Sequence, residues 1–390
     1  MNKRSVCALG MAFVLAGCSA GGSGSGKEQT LTVGLFTEMN GDFSPMYYQT
    51  VNDHNVVNLV YQGLLAYDKD ANLVPELAEE LPTISDDGTT MTFKLKKGVK
   101  FSDGSKFTSK DVKATFSVMA DPSYTGRFSS NVDFLNGYSE YHDGDAKDVS
   151  GIETPDDYTV VFHMAKPKID AESTLGTQKI CSAKTLKYKK GKTSNVEKNN
   201  SNPIGTGPYK LESWDAGQSI VMVKNEDYYL GSPKIDKVIF KIVEDDNTQA
   251  VQLQSGEIDM ALLDPKNAQS FKDAEDYTCY DMTTSDYRGI MFNFGNDYWT
   301  ENKDIIPAVC YGIDRQAIID AVLLGQGMPA YGPLQRNIYN DENVEHYDYN
   351  PEKAKEILEN AGCTMGDDGF YERNGEEIGF VISVMSGEQD

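Results

Sequence analysis

Positive charge is scarce in this sequence. Its 390 residues carry 36 Lys and Arg against 60 Asp and Glu, a formal net charge of −24. Such acidity works against nucleic acid and anionic lipid headgroups as partners. Histidine is scarcer still: His54, His142, His163 and His346 are scattered, with no HExxH or paired spacing of a metallohydrolase. Six cysteines are present, none in a CxxC or zinc spacing. Four of them, Cys181, Cys279, Cys310 and Cys363, are spread widely, and disulfides and free buried thiols both stay open. There is no GxSxG, no triad pattern and no Cys/His nucleophile pair. Carboxylates abound, but nothing singles out a glycosidase pair. Beyond the N-terminus no apolar run approaches the roughly 20 residues of a membrane-spanning helix. No short-period repeat is present.

What is present begins at the N-terminus. Lys3 and Arg4 precede an apolar run from Val6 to Leu15, broken only by Gly10. The run is too short to span a bilayer and has the layout of a signal peptide over residues 1–17. It ends in Leu15-Ala16-Gly17-Cys18, which resembles the lipobox of bacterial lipoproteins. The resemblance implies a diacylated Cys18 as the first mature residue, and a chain held at the outer face of the cytoplasmic membrane. Two acyl chains anchor stably where one is marginal. Ser19 to Gly26 is nearly all Gly and Ser, so residues 18–29 read as a flexible tether. Removal of the signal leaves 34 basic against 60 acidic residues, a net charge near −26.

The length calls for two or three domains. Thr30 to Phe36 alternates as a strand, and Val56 to Leu65 has helical spacing. Thr89 to Phe101 reads as a hairpin: Met91, Phe93 and Leu95 alternate, Lys97-Gly98 turns, and Val99 and Phe101 return. Thr108 to Asp111 resembles a capping box opening a helix through Met119. Strands follow at Tyr158–Met164, Ser219–Val223, Lys237–Val243 and Gly289–Phe294. Lys184 to Ser201, basic and polar, reads as a surface segment or linker. Asn247 is placed as the cap of a helix ending at Gly256, and Ile305 to Leu324 is helical in period. Asn350, Pro351 and Gly362 frame a further helix. Asp68 to Glu79 mimics an EF-hand loop, but Leu73 stands where glycine is required and Pro75 disrupts the frame, so a plain turn is expected. Alternating strands and helices indicate an α/β protein.

The order of short motifs resembles the family 5 extracellular solute-binding proteins, the peptide- and nickel-type receptors of ABC transporters. Gly63-Leu64-Leu65, Val74 to Ala78, Asp86 to Phe93 and Gly98 to Gly104 come first. Pro203-Ile204-Gly205-Thr206-Gly207-Pro208-Tyr209, Asn225 to Tyr229 and Ser255 to Asp259 follow, then Phe292-Asn293, Tyr311 to Arg315 and Tyr349 to Gly362. Gly205-Thr206-Gly207-Pro208 lacks the Lys and Ser of a phosphate loop and reads as the support of a chain crossing. The resemblance implies a two-lobed periplasmic-binding-protein type II fold with an extra small subdomain in the first lobe. Residues 30–55 and 190–265 would form the core of lobe I, 56–189 its small subdomain, and 266–390 a second lobe that stops short of the family's C-terminus.

The family reading implies a monomeric, non-enzymatic receptor without cofactor, metal or nucleic acid. It would capture short peptides and deliver them to membrane permease subunits. A nickel chelate, an oligosaccharide, a sensory role and a surface hydrolase are the rival readings. Cleft-facing candidates are Glu38, Met39 and Asn40 after the first strand; Tyr47, Tyr48 and Asp53 on the next segment; and Tyr287, Arg288, Asn293 and Phe294 on the crossing into the second lobe. Tyrosine offers flat apolar area with one hydroxyl, and a carboxylate such as Glu38 suits a peptide amine. His54, near the same place, reads as a hydrogen-bonded structural histidine or as a contact to a metal chelate.

Overall fold

Leu31, Val33 and Leu35 alternate along the strand Thr30–Leu35, and Val33 is buried. The computed structural model describes residues 12–16, 28–35, 39–272, 274–282, 287–334, 340–341 and 343–383. Two compact units divide the chain: Cys18–Ala261, and Leu262–Asp390 together with Met1–Gly17.

In the first unit the strand Thr30–Leu35 lies parallel to Lys237–Ile242 on one side and to Met260–Leu263 on the other. Ser219–Lys224 then runs antiparallel between Lys237–Ile242 and Tyr209–Asp215. Ile220, Met222, Val238 and Phe240 are buried from this sheet, the period-2 pattern of a half-covered surface. The helix Asp246–Ser255 ends at Gly256 in the left-handed conformation, as expected. Its cap, however, is Asp245, whose carboxylate accepts the Thr248 N–H, and not Asn247.

A second sheet orders Thr83–Ile84, Thr90–Lys94, Thr159–His163 and Ile152–Asp156, all antiparallel. Met91, Phe93, Phe162 and Phe116 are buried there, with Phe162 meeting Phe93 and Phe116 edge-on or tilted. The expected return of Val99 and Phe101 onto Thr90–Lys94 does not form. That strand's neighbours are Thr159–His163 and Thr83–Ile84, which take both of its edges. Val99 and Phe101 instead fold about the Asp103-Gly104 turn, where the Phe101 N–H reaches Ser105 and the Phe107 N–H reaches Val99. The helix Ser109–Met119 starts as expected: the Thr108 N–H and hydroxyl both donate to Asp111, at 2.7 and 3.1 Å. At the EF-hand mimic, Asp68 accepts the N–H groups of Asp70 and Asn72, closing a turn between Leu65–Tyr67 and Leu73–Pro75.

Lys184 to Ser201 is a surface segment, as one of the two readings had it, and not a linker. It folds as two short helices, Ala183–Leu186 and Ser194–Glu197, with Leu186 and Val196 buried. Between them the Tyr188 hydroxyl bonds to Tyr141 and to Asp121. Asp121, 1% exposed, also accepts from Ser123 and from the Gly191 N–H at 2.7 Å. Burial by itself would raise this carboxyl's pKa. The bonds from Ser123, Tyr188 and Gly191 outweigh it and hold the group below its ordinary value. A depressed folded pKa stabilises above the unfolded value of about 3.9 and is lost as pH falls through the folded one. Asp121→Asn should therefore cost about 1–2 kcal/mol at pH 7. Urea melts should show the gap from wild type closing as the pH falls below the ordinary carboxylate value of about 3.9.

The helix read over Val56 to Leu65 spans Val51–Val60, capped by Thr50, and stops where Tyr61 turns extended. In the second unit, Ile305 to Leu324 is two helices, Ile306–Gly312 and Arg315–Val322, because Asp314 caps the second through the Ala317 N–H. The Asn350 side chain caps Pro351–Asn360 through the Lys353 N–H. Gly289 to Phe294 is irregular rather than a strand, and Met291 is 93% exposed. No neighbouring strand pairs with it among the described residues, and an unpaired strand leaves its backbone groups unsatisfied. Ala12–Ala16, inside the segment read as a signal peptide, forms a strand antiparallel to Tyr277–Asp281. An apolar, β-capable stretch readily pairs with an open strand edge. Among the described residues Cys181, Cys279, Cys310 and Cys363 are all free thiols.

Candidate functional site

The loop 39–50 and the helix Val51–Val60 are built around Asp53, which is fully buried. Its carboxylate accepts the Thr50 hydroxyl at 2.8 Å, the Gly41 N–H at 3.1 Å and the Asn40 N–H at 3.4 Å. The Thr50 hydroxyl in turn accepts the Asp53 N–H at 3.0 Å, capping the helix. Asp53 thus fixes the path of the candidate residues Met39, which is buried, and Asn40, which is exposed. Gly41 is obligatory at φ +83°, since a Cβ there would lie 2.0 Å from the Trp214 ring. Glu38 and Cys18 lie outside the described residues.

Tyr47 and Tyr48 point to different surroundings. Tyr47 is buried against Tyr124, ring centroids 5.1 Å apart, and burial pushes its hydroxyl pKa up. Tyr48 is half-buried in an aromatic surface. Its ring lies parallel to His54 at 4.5 Å, with Phe128 at 5.2 Å and the Arg127 guanidinium 4.9 Å from the ring centroid. Burial, then the positive charges of Lys179 and Arg127, lower the His54 pKa. At neutral pH the imidazole is uncharged and serves as a flat stacking partner. Arg127 is exposed and makes no ion pair among the described residues. The combination suits a ligand with an aromatic or planar group and a nearby anion.

Arg127, Phe128 and Lys179 were not anticipated. The one local signal is the turn-rich run Asp121 to Phe128, in which Gly126 passes so close to the Tyr124 hydroxyl and the Met46 carbonyl that no side chain fits. A separate cavity of about 300 Å³ opens beside Ser44, Tyr61, Cys181, Lys184, Asn200 and Ile204. None of Tyr48, His54 and Arg127 lines it. Among the described residues no group of three His, Cys, Asp or Glu side chains is placed to hold a metal.

In the second unit the candidates Tyr287, Arg288, Asn293 and Phe294 all lie on the irregular, exposed segment. Asn293 accepts the Gly295 N–H at 3.0 Å, and Lys303 sits 5.4 Å over the Phe294 ring.

A family model, the bacterial extracellular solute-binding proteins of family 5, matches residues 72–390. The chain belongs to this family. As a family 5 protein it is 31% identical to the oligopeptide-binding protein AppA of Bacillus subtilis, over 97% of this chain and 69% of that one. It is 30% identical to the glutathione-binding protein GsiB of Escherichia coli, over 94% of this chain and 67% of that one. Among solved family 5 structures, NikZ of Campylobacter jejuni in complex with Ni(L-His) aligns with a TM-score of 0.76 at 28% identity. That alignment covers 90% of this chain and 66% of that one. AppA in complex with a nonapeptide aligns with a TM-score of 0.70 at 28% identity, covering 90% and 68%. The mixed α/β architecture is that of these binding proteins. The chain spans 57% of the length of a Streptomyces lividans relative and 69% of AppA.

Proposed function

We propose that this chain is the substrate-binding lipoprotein of an ABC importer. It is exported, held by diacylglycerol on Cys18, and captures short peptides for delivery to permease subunits. No covalent chemistry and no cofactor are involved, and the receptor acts as a monomer. The carrying observation is the likeness to AppA across nearly the whole chain; GsiB, named for the tripeptide glutathione, points the same way. The surface of Tyr48, neutral His54, Phe128 and Arg127 suits such a ligand, with stacking area for a side chain and a cation for a carboxylate. Glu38, Met39, Asn40, Tyr47 and Asp53 would shape the same region, and Tyr287, Arg288, Asn293 and Phe294 would be the ligand contacts of the second unit.

A nickel chelate is the second reading, favoured by the likeness to NikZ. A chelate that arrives with its own ligands needs no protein cluster, only a surface such as His54 provides. Calorimetry with a di- to hexapeptide library, run against Ni(L-His), separates the two. Peptides should bind, and at 100 times the dissociation constant should add about 2.7 kcal/mol of stability. Arg127→Ala should weaken binding roughly tenfold if a carboxylate sits there. Absence of binding across the whole library would end the peptide reading.

A further inference from the structure

The basic stretch of the sequence takes no part in the aromatic surface around Tyr48. Lys184, Lys187, Lys189, Lys190, Lys192 and Lys198 fall within fifteen residues, with Glu197 as the only acid among them, in a chain of net charge −24. At the centre is a turn closed by the Lys192 N–H on the Lys189 carbonyl at 3.0 Å, with Gly191 at φ +74°. Lys189 and Lys192 are thereby an antiparallel bridge pair. Side chains directly opposite in such a pair stand about 5 Å apart at Cβ, and like charges there repel.

Little nearby relieves that repulsion. Lys190 folds back, its ammonium 4.3 Å over the Tyr141 ring and bonded to the Ala146 carbonyl. Lys184 pairs with Asp103 at 2.9 Å. Two further acids at the segment are occupied: Asp121 by Tyr188 and the Gly191 N–H, Glu197 by the hydroxyls of Thr125 and Thr193. Lys187, Lys189, Lys192 and Lys198 are all exposed, and no ion pair is formed by any of them among the described residues. The backbone beneath is fixed by the Tyr188 and Asp121 bonds, so the lysines stand on a rigid base. Lys187 itself is held at φ +46°, a conformation few non-glycine residues adopt.

We propose that Lys187, Lys189, Lys192 and Lys198 form a contact surface for anionic phospholipid headgroups. A phosphodiester supplies the negative charge missing between Lys189 and Lys192, and several together lay this face of the unit on the membrane. The net charge of −24 opposes approach from a distance, but at 0.1 M salt exposed charges beyond about 10 Å are largely screened, so contact is decided by the lysines themselves. The proposal rests on the reading of the chain as exported and membrane-held, but its test needs no lipid on Cys18.

The full, unacylated chain is sedimented with phosphatidylcholine vesicles and with vesicles rich in phosphatidylglycerol. At 0.1 M salt the bound fraction should be about tenfold higher on the anionic vesicles. It should fall to the phosphatidylcholine level near 1 M salt, where the screening length is about 3 Å. Lys189→Glu with Lys192→Glu should abolish the difference at an unchanged melting temperature, and Lys189→Gln with Lys192→Gln should reduce it. Equal binding of the wild type to both vesicles overturns the proposal, as does full binding by the double glutamate variant. Displacement by millimolar inorganic phosphate at constant ionic strength also overturns it, by reassigning the pair to free phosphate. Failure of the export reading would appear separately, as an unprocessed N-terminus in cells with the vesicle result intact.

Discussion

Gly205→Ala is expected to destabilise the first unit by about 3–4 kcal/mol, the upper end of overpacking costs. A Cβ at this position would stand 2.0 Å from the Val60 carbonyl oxygen. The obstacle is backbone, so no rotamer change relieves it. Nor can the segment retreat, because the Gly207 N–H donates to that same Val60 carbonyl at 2.8 Å and the Ser102 N–H donates to the Gly205 carbonyl at 2.8 Å. Gly207 has its own limit, with a Cβ 2.5 Å from the Leu59 carbonyl oxygen. The two glycines let one chain segment cross the end of the helix Val51–Val60 at backbone distance. Gly312→Ala, where nothing lies within 4 Å, is the control and should shift stability by less than about 1 kcal/mol. Urea melts of the three proteins measure the difference, and a wild-type-like Gly205→Ala melt would refute the crossing as a constraint.

Asp53→Ala should cost about 3 kcal/mol, because one buried carboxylate serves three donors. Removing it leaves the Gly41 N–H without its acceptor inside the protein and removes the partner of the Thr50 cap. Asp53→Asn keeps one carbonyl oxygen and should lose about half as much. The same substitution frees the path of Met39 and Asn40, so ligand affinity should fall along with stability. A binding loss in Asp53→Asn with an unchanged melt would instead mean direct contact with the ligand. Melts and calorimetry on the same samples distinguish the two roles.

Signals confined to one turn of chain were legible. Thr108 to Asp111, Asn350 with Pro351, and the Asp68 turn each depend on side chains within four residues of the backbone groups they satisfy. Signals that depend on distant partners were not. The strand Thr90–Lys94 pairs with residues some 65–75 positions away in the sequence, and only local alternation suggested the hairpin that does not form. Lys184 to Ser201 was readable as a surface segment, but a linker stayed open because its few anchors, Leu186, Tyr188 and Val196, are sparse among lysines and asparagines, and Tyr188 is held by Asp121 from another part of the chain. At the site, Tyr48 and Asp53 were marked by position along the chain. Their surroundings are set by partners such as Arg127, Phe128 and Gly41 that no spacing rule connects to them.

The sequence contains two tryptophans, and the fold distributes them one to each unit. Trp214 packs edge-on to Phe43, 5.4 Å between centroids, and fills the space that Gly41 leaves empty. Trp299 sits among Phe292, Tyr298 and Phe380. The molecule therefore carries two separate native fluorophores. Trp299→Phe leaves an emission that reports on the loop pinned by Asp53, and Trp214→Phe leaves one that reports on the second unit alone. A titrated solute that reaches the first unit only would quench or shift one signal and leave the other silent.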